Sequence, residues 1–288
     1  MKMFRMFFAT AISIALCFNF TACSDDDENG DEENNSGVVN PSKVFTGGLP
    51  KSVLGMSISQ NKDGLVTNIT TDDGEKAVFE YSFATRAAAL VNTAKITVTD
   101  EDGETTILNL KLNDNGYVES CNSIDPGGET FTWSMEYDTD GHLVVMRRSE
   151  SGGEITNITY KNGDVVKTST LYTNSGDLNG DGVIDDKDKD EYSATIDYTT
   201  DAITSPIENK GCLMLFDETL DVDMDEMIYA YYAGMLGKAT KHLPLLCHEV
   251  YGEFVYDDVF TWTLNSSGYP TKLLVKEADW EDNFSFSW

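Results

Sequence analysis

The sequence predicts an all-β protein: an antiparallel meander forming a large twisted sheet or an open barrel-like structure, with one helix near the C-terminal third. Three observations predict it. From about residue 52 apolar and polar residues alternate, as in Leu108-Asn109-Leu110-Lys111-Leu112, Phe131-Thr132-Trp133-Ser134-Met135 and Phe260-Thr261-Trp262-Thr263-Leu264. A period of two sends alternate side chains to opposite faces, which marks half-buried antiparallel strands. Asx-rich turns ending in glycine separate these runs, at 61–64, 113–116, 138–141, 161–163 and 265–268. Glycine there supplies the positive φ of a tight hairpin. The unit also recurs, restarting in Gly116-Tyr117-Val118, Gly141-His142-Leu143 and Gly268-Tyr269-Pro270, at spacings too irregular for a solenoid.

The elements follow in chain order. Residues 1–22 have the form of a lipoprotein signal peptide: basic Lys2 and Arg5, an apolar run from Met6 to Phe20, then Thr21-Ala22 before Cys23. The run is shorter than the ~20 apolar residues a spanning helix needs. Cys23 is the expected lipidation site, where acyl chains worth ~0.8 kcal/mol per buried methylene would hold the chain on a membrane. Ser24-Asp25-Asp26-Asp27-Glu28 follows at once, and this run resembles the export signal of Bacteroidetes surface lipoproteins. The expected location is therefore the outer membrane, lipid-anchored and facing the exterior. Residues 23–42 carry almost no large apolar side chain, and such a stretch cannot offset its ordering entropy, so a disordered tether is expected. Residues 43–288 form the expected single β-rich domain.

Charge narrows the partners. Fifty acidic side chains against 20 basic ones give a formal net charge of −30. Such a surface repels phosphate backbones, which argues against nucleic acid and leaves the acyl anchor as the route to a membrane. Beyond the signal the cysteines are Cys121, Cys212 and Cys247. They lack zinc-site spacing and are expected as buried small hydrophobes, with a Cys212–Cys247 disulfide left open.

The sharpest chemical motif is an insertion at 177–188. Asp177, Asn179, Asp181, Asp185 and Asp188 stand at loop positions one, three, five, nine and twelve, Gly182 at six and Ile184 at eight. With the Val183 carbonyl this set offers a hard cation the six to eight oxygens that calcium takes. Asp188 in place of glutamate makes the loop resemble dockerin repeats. A single loop between strand-like segments points to a structural calcium.

The expected helix starts in Asp223-Met224-Asp225-Glu226, which has the form of a capping box. Met227, Ile228, Tyr231, Tyr232, Met235 and Leu236 then share one face, Lys238, Lys241 and His242 sit at the negative end of the dipole, and Pro244 ends the turn. This helix is expected over one face or the mouth of the sheet. At the C-terminus Phe284-Ser285-Phe286-Ser287-Trp288 has the aromatic pattern of an outer-membrane barrel, but the strands fall short of the ~9–11 residues a spanning strand needs. A closing strand with one apolar face fits better.

Catalytic constellations are missing. His142, His242 and His248 form no metal-pair motif, and no nucleophile elbow or phosphate-cradling loop is present. No catalytic residue is assigned. Ser205-Pro206-Ile207, Leu236-Gly237-Lys238 leading to Leu243-Pro244, and Gly268-Tyr269-Pro270 resemble a family of Bacteroidales lipoproteins of unknown function. That resemblance covers roughly residues 50–276 and implies a porin-like, all-β fold with no known ligand. The expected function is a non-enzymatic surface binding module for a glycan or other extracellular ligand. Trp133, Trp262 and Trp280 are the candidates for stacking on sugar rings, although the first two lie on apolar strand faces. The alternatives are a structural or adhesive lipoprotein that contacts surface proteins, and a carboxylate-dependent glycan-active enzyme.

Overall fold

The computed structural model describes residues 39–84, 91–150, 153–173, 190–278 and 280–288. The signal peptide, Cys23, the tether up to residue 38 and the calcium loop at 177–188 lie outside the described residues. At residues 39–42, which the sequence assigns to the tether, Val39 and Pro41 are already buried.

The meander runs through β1 (Ser52–Val53), β2 (Met56–Gln60), β3 (Val66–Thr70), β4 (Lys76–Ala84), β5 (Val91–Thr99), β6 (Thr105–Leu112), β7 (Val118–Ile124), β8 (Thr130–Tyr137) and β9 (Leu143–Arg148). It continues through β10 (Glu154–Lys161), β11 (Asp164–Tyr172) and β12 (Asp190–Asp197). A minor two-stranded sheet of β13 (Ile207–Glu208) and β14 (His242–Leu243) follows, then β15 (Leu246–Tyr251), β16 (Phe254–Leu264), β17 (Pro270–Glu277) and β18 (Trp280–Ser287). Sixteen antiparallel strands close into a barrel, sealed where β1 pairs with β18 through Ser52–Ser287 and Val53–Phe286. The sheet is thus closed rather than open, and the C-terminal aromatic strand is the one that closes it.

The hairpins form for a local reason. In the turns at Asn61, Asp100, Asn113, Asp138 and Asn265 the side-chain Oδ1 accepts from the backbone N–H groups two and four residues on, at 2.8–3.1 Å. The glycine three residues after each Asx has φ between 80° and 91°. Beside four of these turns the ladder shifts register, between Ser59 and Gln60, Lys111 and Leu112, Glu136 and Tyr137, and Thr263 and Leu264. A short turn closed by a left-handed glycine and a bulge is a favoured hairpin geometry.

The wall is apolar inside and polar outside. On β6, Leu108, Leu110 and Leu112 are buried while Asn109 and Lys111 face out; on β8, Trp133 and Met135 are buried while Thr132 and Glu136 do not share their face. A membrane-spanning barrel needs the reverse, an outward apolar band around a polar interior.

The lumen holds the segment between β13 and β14. It contains helix α1 (Phe216–Leu220), a 3-10 turn at Asp225–Met227 and helix α2 (Ile228–Tyr232). Met214, Leu215, Phe216, Val222, Met227, Tyr231, Tyr232 and Met235 are all at most 2% exposed. Thr168 on the inner wall donates to the Leu220 carbonyl at 2.8 Å, fixing how far the segment penetrates. Phe45 packs edge-on against Tyr231 at 5.5 Å, so the N-terminal stretch stacks on the same plug.

This corrects the expected helix. Glu226 makes no capping box; Asp223 Oδ1 instead accepts from the Asp225 N–H at 3.0 Å, and Asp225 has φ 40°. The α-helix ends at Tyr232 because Gly234 and Gly237 turn to positive φ, which leaves Lys238, Lys241 and His242 beyond it. Ala230 and Ala233 are buried with the expected face, so the helix lies inside the barrel rather than over it. Cys121 and Cys247 are buried as expected, Cys212 is half-buried, and none of the three is in a disulfide.

Candidate functional site: the open mouth of the barrel

Counting strands sorts the turns into two rims. At one rim lie the 61–65, 113–117, 138–142 and 265–269 turns and the Trp288 end; at the other lie 71–75, 100–104, 125–129 and 252–253. The first rim is closed over the plug. The Val118 N–H donates to the Met235 carbonyl at 2.8 Å, Lys238 N–H to Gly141 at 2.9 Å and Lys241 N–H to Gly163 at 2.8 Å. Tyr269 Oη donates to the Gly47 carbonyl at 2.8 Å.

The second rim is solvated and acidic, and the plug tip reaches it. Arg148, 6% exposed at its side chain, donates Nε to Glu154 at 2.7 Å and Nη2 to Asp223 at 2.9 Å, and also pairs with Asp225. Its guanidinium lies 5.4 Å from the Trp133 ring centre, a cation–π contact. One cation thus faces three carboxylates. Burial, with Asp223 beside it, pushes the Asp225 carboxyl up to about 7 despite Arg148. Burial likewise raises Glu75, whose carboxylate receives the Tyr229 hydroxyl of the plug, and Glu150. A cleft of about 330 Å³ opens between Leu54, Met56 and Thr71 of the wall and Phe216, Asp223 and Asp225 of the plug.

Further round the same rim stands an arc of exposed aromatics. Phe254 is 62% exposed, Trp280 53%, Tyr251 47% and Tyr256 44%. Strand register places them all on the inner face. Thr170, buried on that face, pairs with Tyr192, Tyr192 with Tyr251, and Tyr251 with Phe254. Buried Ala194 pairs with Glu249, and Glu249 with Tyr256. Buried Cys247 pairs with Asp258, Asp258 with Glu277, and Glu277 with Trp280. Each row begins in the core and ends at the rim. β15 and β16 project past β17, whose last pair with β16 is Asp258–Glu277, and this leaves Phe254 to Asp257 beyond the wall.

Of the three tryptophans considered from sequence, the structure brings one to this mouth. Trp133 is 4% exposed in the core, and Trp262 is half-buried with its indole N–H donating to the Pro244 carbonyl at 2.7 Å. Trp280 is exposed. Tyr251, Phe254 and Tyr256 were not foreseen; the signal was Phe254-Val255-Tyr256, apolar on both strand faces directly after the Gly252-Glu253 turn. Among the described residues Asp138, Asp140 and His142 also bring possible metal-binding atoms together, within 4.8 Å. There Asp138 Oδ1 caps its own turn and Oδ2 bonds His142 Nδ1 at 2.9 Å, so the group explains itself as a hairpin lock.

With this geometry in hand the relatives are informative. Residues 56–272 match the domain of unknown function (DUF4595) with porin-like fold, which is three quarters of the chain. The chain belongs to this family. Solved structures of the same shape include a porin-like protein from Bacteroides uniformis, 20% identical with a TM-score of 0.56, covering 81% of this chain and 89% of its own. A porin-like protein from Bacteroides vulgatus is 12% identical with a TM-score of 0.57, covering 84% and 99%. At these identities the likeness shows the fold alone. No curated protein matches the chain. In this DUF4595 member the porin-like shape comes with an apolar, plugged lumen and a polar outer wall.

Proposed function

We propose that this DUF4595 protein is a non-enzymatic cell-surface lipoprotein that captures a glycan at the open mouth of its barrel. The arc of Tyr251, Phe254, Tyr256 and Trp280 carries the reading: four large rings exposed on the inward face of a rim, with carboxylates interleaved. Ring faces offer stacking surface to a sugar, and fixed polar groups set its orientation. The anchor at Cys23 and the acidic tether support surface display. The 177–188 loop is a structural calcium site in this reading, linking β11 to β12.

The test is retention of labelled glycans from a broad host and dietary panel by cells displaying the full chain, with and without calcium. Specific retention is expected, reduced at least tenfold by Trp280→Ala or Phe254→Ala, and released to the medium with the protein by Cys23→Ala. A panel with no hit in either condition would sink the reading.

One observation favours the adhesive alternative. Among the described residues the Phe254–Asp257 stretch of β16 pairs with β15 on one side and has no strand partner on the other. An exposed edge of that kind is where a partner strand can add.

A further inference from the structure

We infer that the open mouth is a cleft of several subsites that takes a linear oligosaccharide of at least four sugars, laid along the rim from Tyr251 to Trp280. The inference rests on the glycan reading above and names the class of glycan.

The strand ladder measures the length of this surface. Tyr251 and Phe254 are direct partners across β15 and β16, so they stand about 5 Å apart and form one end. Tyr256 lies two residues further along β16, about 7 Å from Phe254 on the same face. Trp280 lies in the row of Asp258, two residues further again, and two strands across through Glu277. At about 3.4 Å per residue and 4.8 Å per strand, Trp280 is about 12 Å from Tyr256 and about 17 Å from Phe254.

That spread is longer than one or two sugars. A pyranose covers one ring face and advances a linear chain by about 5 Å, close to the spacing of one strand. One sugar therefore meets the Tyr251–Phe254 end or Trp280, and a disaccharide still falls short of both. None of the four rings is sunk in a pocket that would enclose a single sugar, since all are exposed. Their spacing is fixed, because the strands from β15 to β18 are hydrogen-bonded side by side and Trp280 opens β18 directly opposite Glu277 at the end of β17. Once one sugar is stacked, the next rings meet a tethered ligand, so each further stack adds affinity at little extra cost in freedom.

The experiment titrates malto-, cello-, xylo-, manno- and N-acetylchito-oligosaccharides of one to six units into the full chain by calorimetry. In a series that binds, affinity is expected to rise at least tenfold from the disaccharide to the tetrasaccharide and to level off by six units. Phe254→Ala and Trp280→Ala, at opposite ends, should each lower pentasaccharide affinity at least tenfold and flatten the rise, and thermal melts report whether each variant is folded. An affinity that changes less than tenfold over the whole series, or a rise that a folded end variant leaves intact, would overturn the extended cleft and leave the glycan reading standing. Binding of no member of any series would overturn both readings. The length series of the unmodified chain decides the matter even if a variant fails to fold.

Discussion

The two ends of the barrel are built from the same hairpin and finished differently. At the closed end the residue after the turn glycine is Leu65, Tyr117, His142 or Tyr269 in four hairpins and Asp164, which accepts from His242, in a fifth; at the open end it is Glu75, Glu104, Glu129, Glu154 or Glu253. One turn chemistry therefore serves two purposes, and a single side chain decides which. Tyr117 and His142 are buried, and His142 stacks on Tyr160 at 4.4 Å. Of the open-end glutamates, Glu154 binds Arg148 and Glu75 meets Tyr229, while Glu104 and Glu129 face water. The closed end stores stability and the open end presents chemistry.

Three pairs of substitutions would break or sharpen that contrast, and the pair with the largest effect concerns aromatic packing. Tyr232 is fully buried in the plug, so Tyr232→Ala removes a large side chain that the lumen cannot collapse to replace. A loss of ~3–5 kcal/mol is expected, readable as a shift in the denaturant midpoint. Tyr256→Ala at the open end should stay within ~0.5 kcal/mol, as for exposed positions generally. Similar losses at both sites would mean that the mouth aromatics are core and the division of labour is wrong.

Two glycines make the same comparison at backbone level. Gly237 (φ 81°) and Gly103 (φ 82°) share a left-handed conformation, so alanine at either bears the same intrinsic penalty, about 1 kcal/mol. Their surroundings differ. A Cβ on Gly237 would lie 2.5 Å from the Gly141 carbonyl oxygen, which already accepts from Lys238, whereas a Cβ on Gly103 meets nothing within 4 Å. Gly237→Ala should therefore cost at least twice as much as Gly103→Ala, ~2–3 kcal/mol against ~1. Chemical denaturation of the two variants side by side gives the difference directly.

Much of this architecture was legible in advance. The leucines at 108, 110 and 112 announce a strand face, and Asx-x-x-Gly announces its hairpins, because both signals are local. Closure was not legible: β1 is two residues long and meets β18 more than 230 positions away, a pairing no local pattern encodes. The plug misled for a different reason. Met227, Tyr231 and Met235 fall on one helical face, but Ala230, Ala233 and the two glycines give no polar opposite face, and that is the mark of an element buried all round. Trp280 was readable as a candidate ligand-binding ring only by its type. Its exposure follows from where β17 stops and β16 does not.

The smallest effect separates the two ends by pH. Asp225 at the open end has its pKa raised from 3.8 to about 7, so in the folded chain it keeps a proton that the unfolded chain has lost. Its contribution to stability is full below pH 4 and is lost as pH rises toward 7 and beyond; Glu75 and Glu150, raised in the same direction, add to it. Asp138 at the closed end runs the other way. Hydrogen bonds from the His142 and Asp140 N–H groups and from the His142 ring outweigh its desolvation and lower its pKa, so its contribution is present at neutral pH and disappears below pH 4. Melting temperature should therefore fall between pH 5 and pH 8, and Asp225→Asn should flatten that fall. Because Asp225 is partly exposed, solvent screening limits the difference to on the order of 2 °C. Asp138→Asn should act on the acid limb, below pH 4, where the contribution of Asp138 itself is lost. A pH 5 to 8 fall that Asp225→Asn left unchanged would show that Asp225 is not the group that titrates there, and the assignment to the open rim would fail.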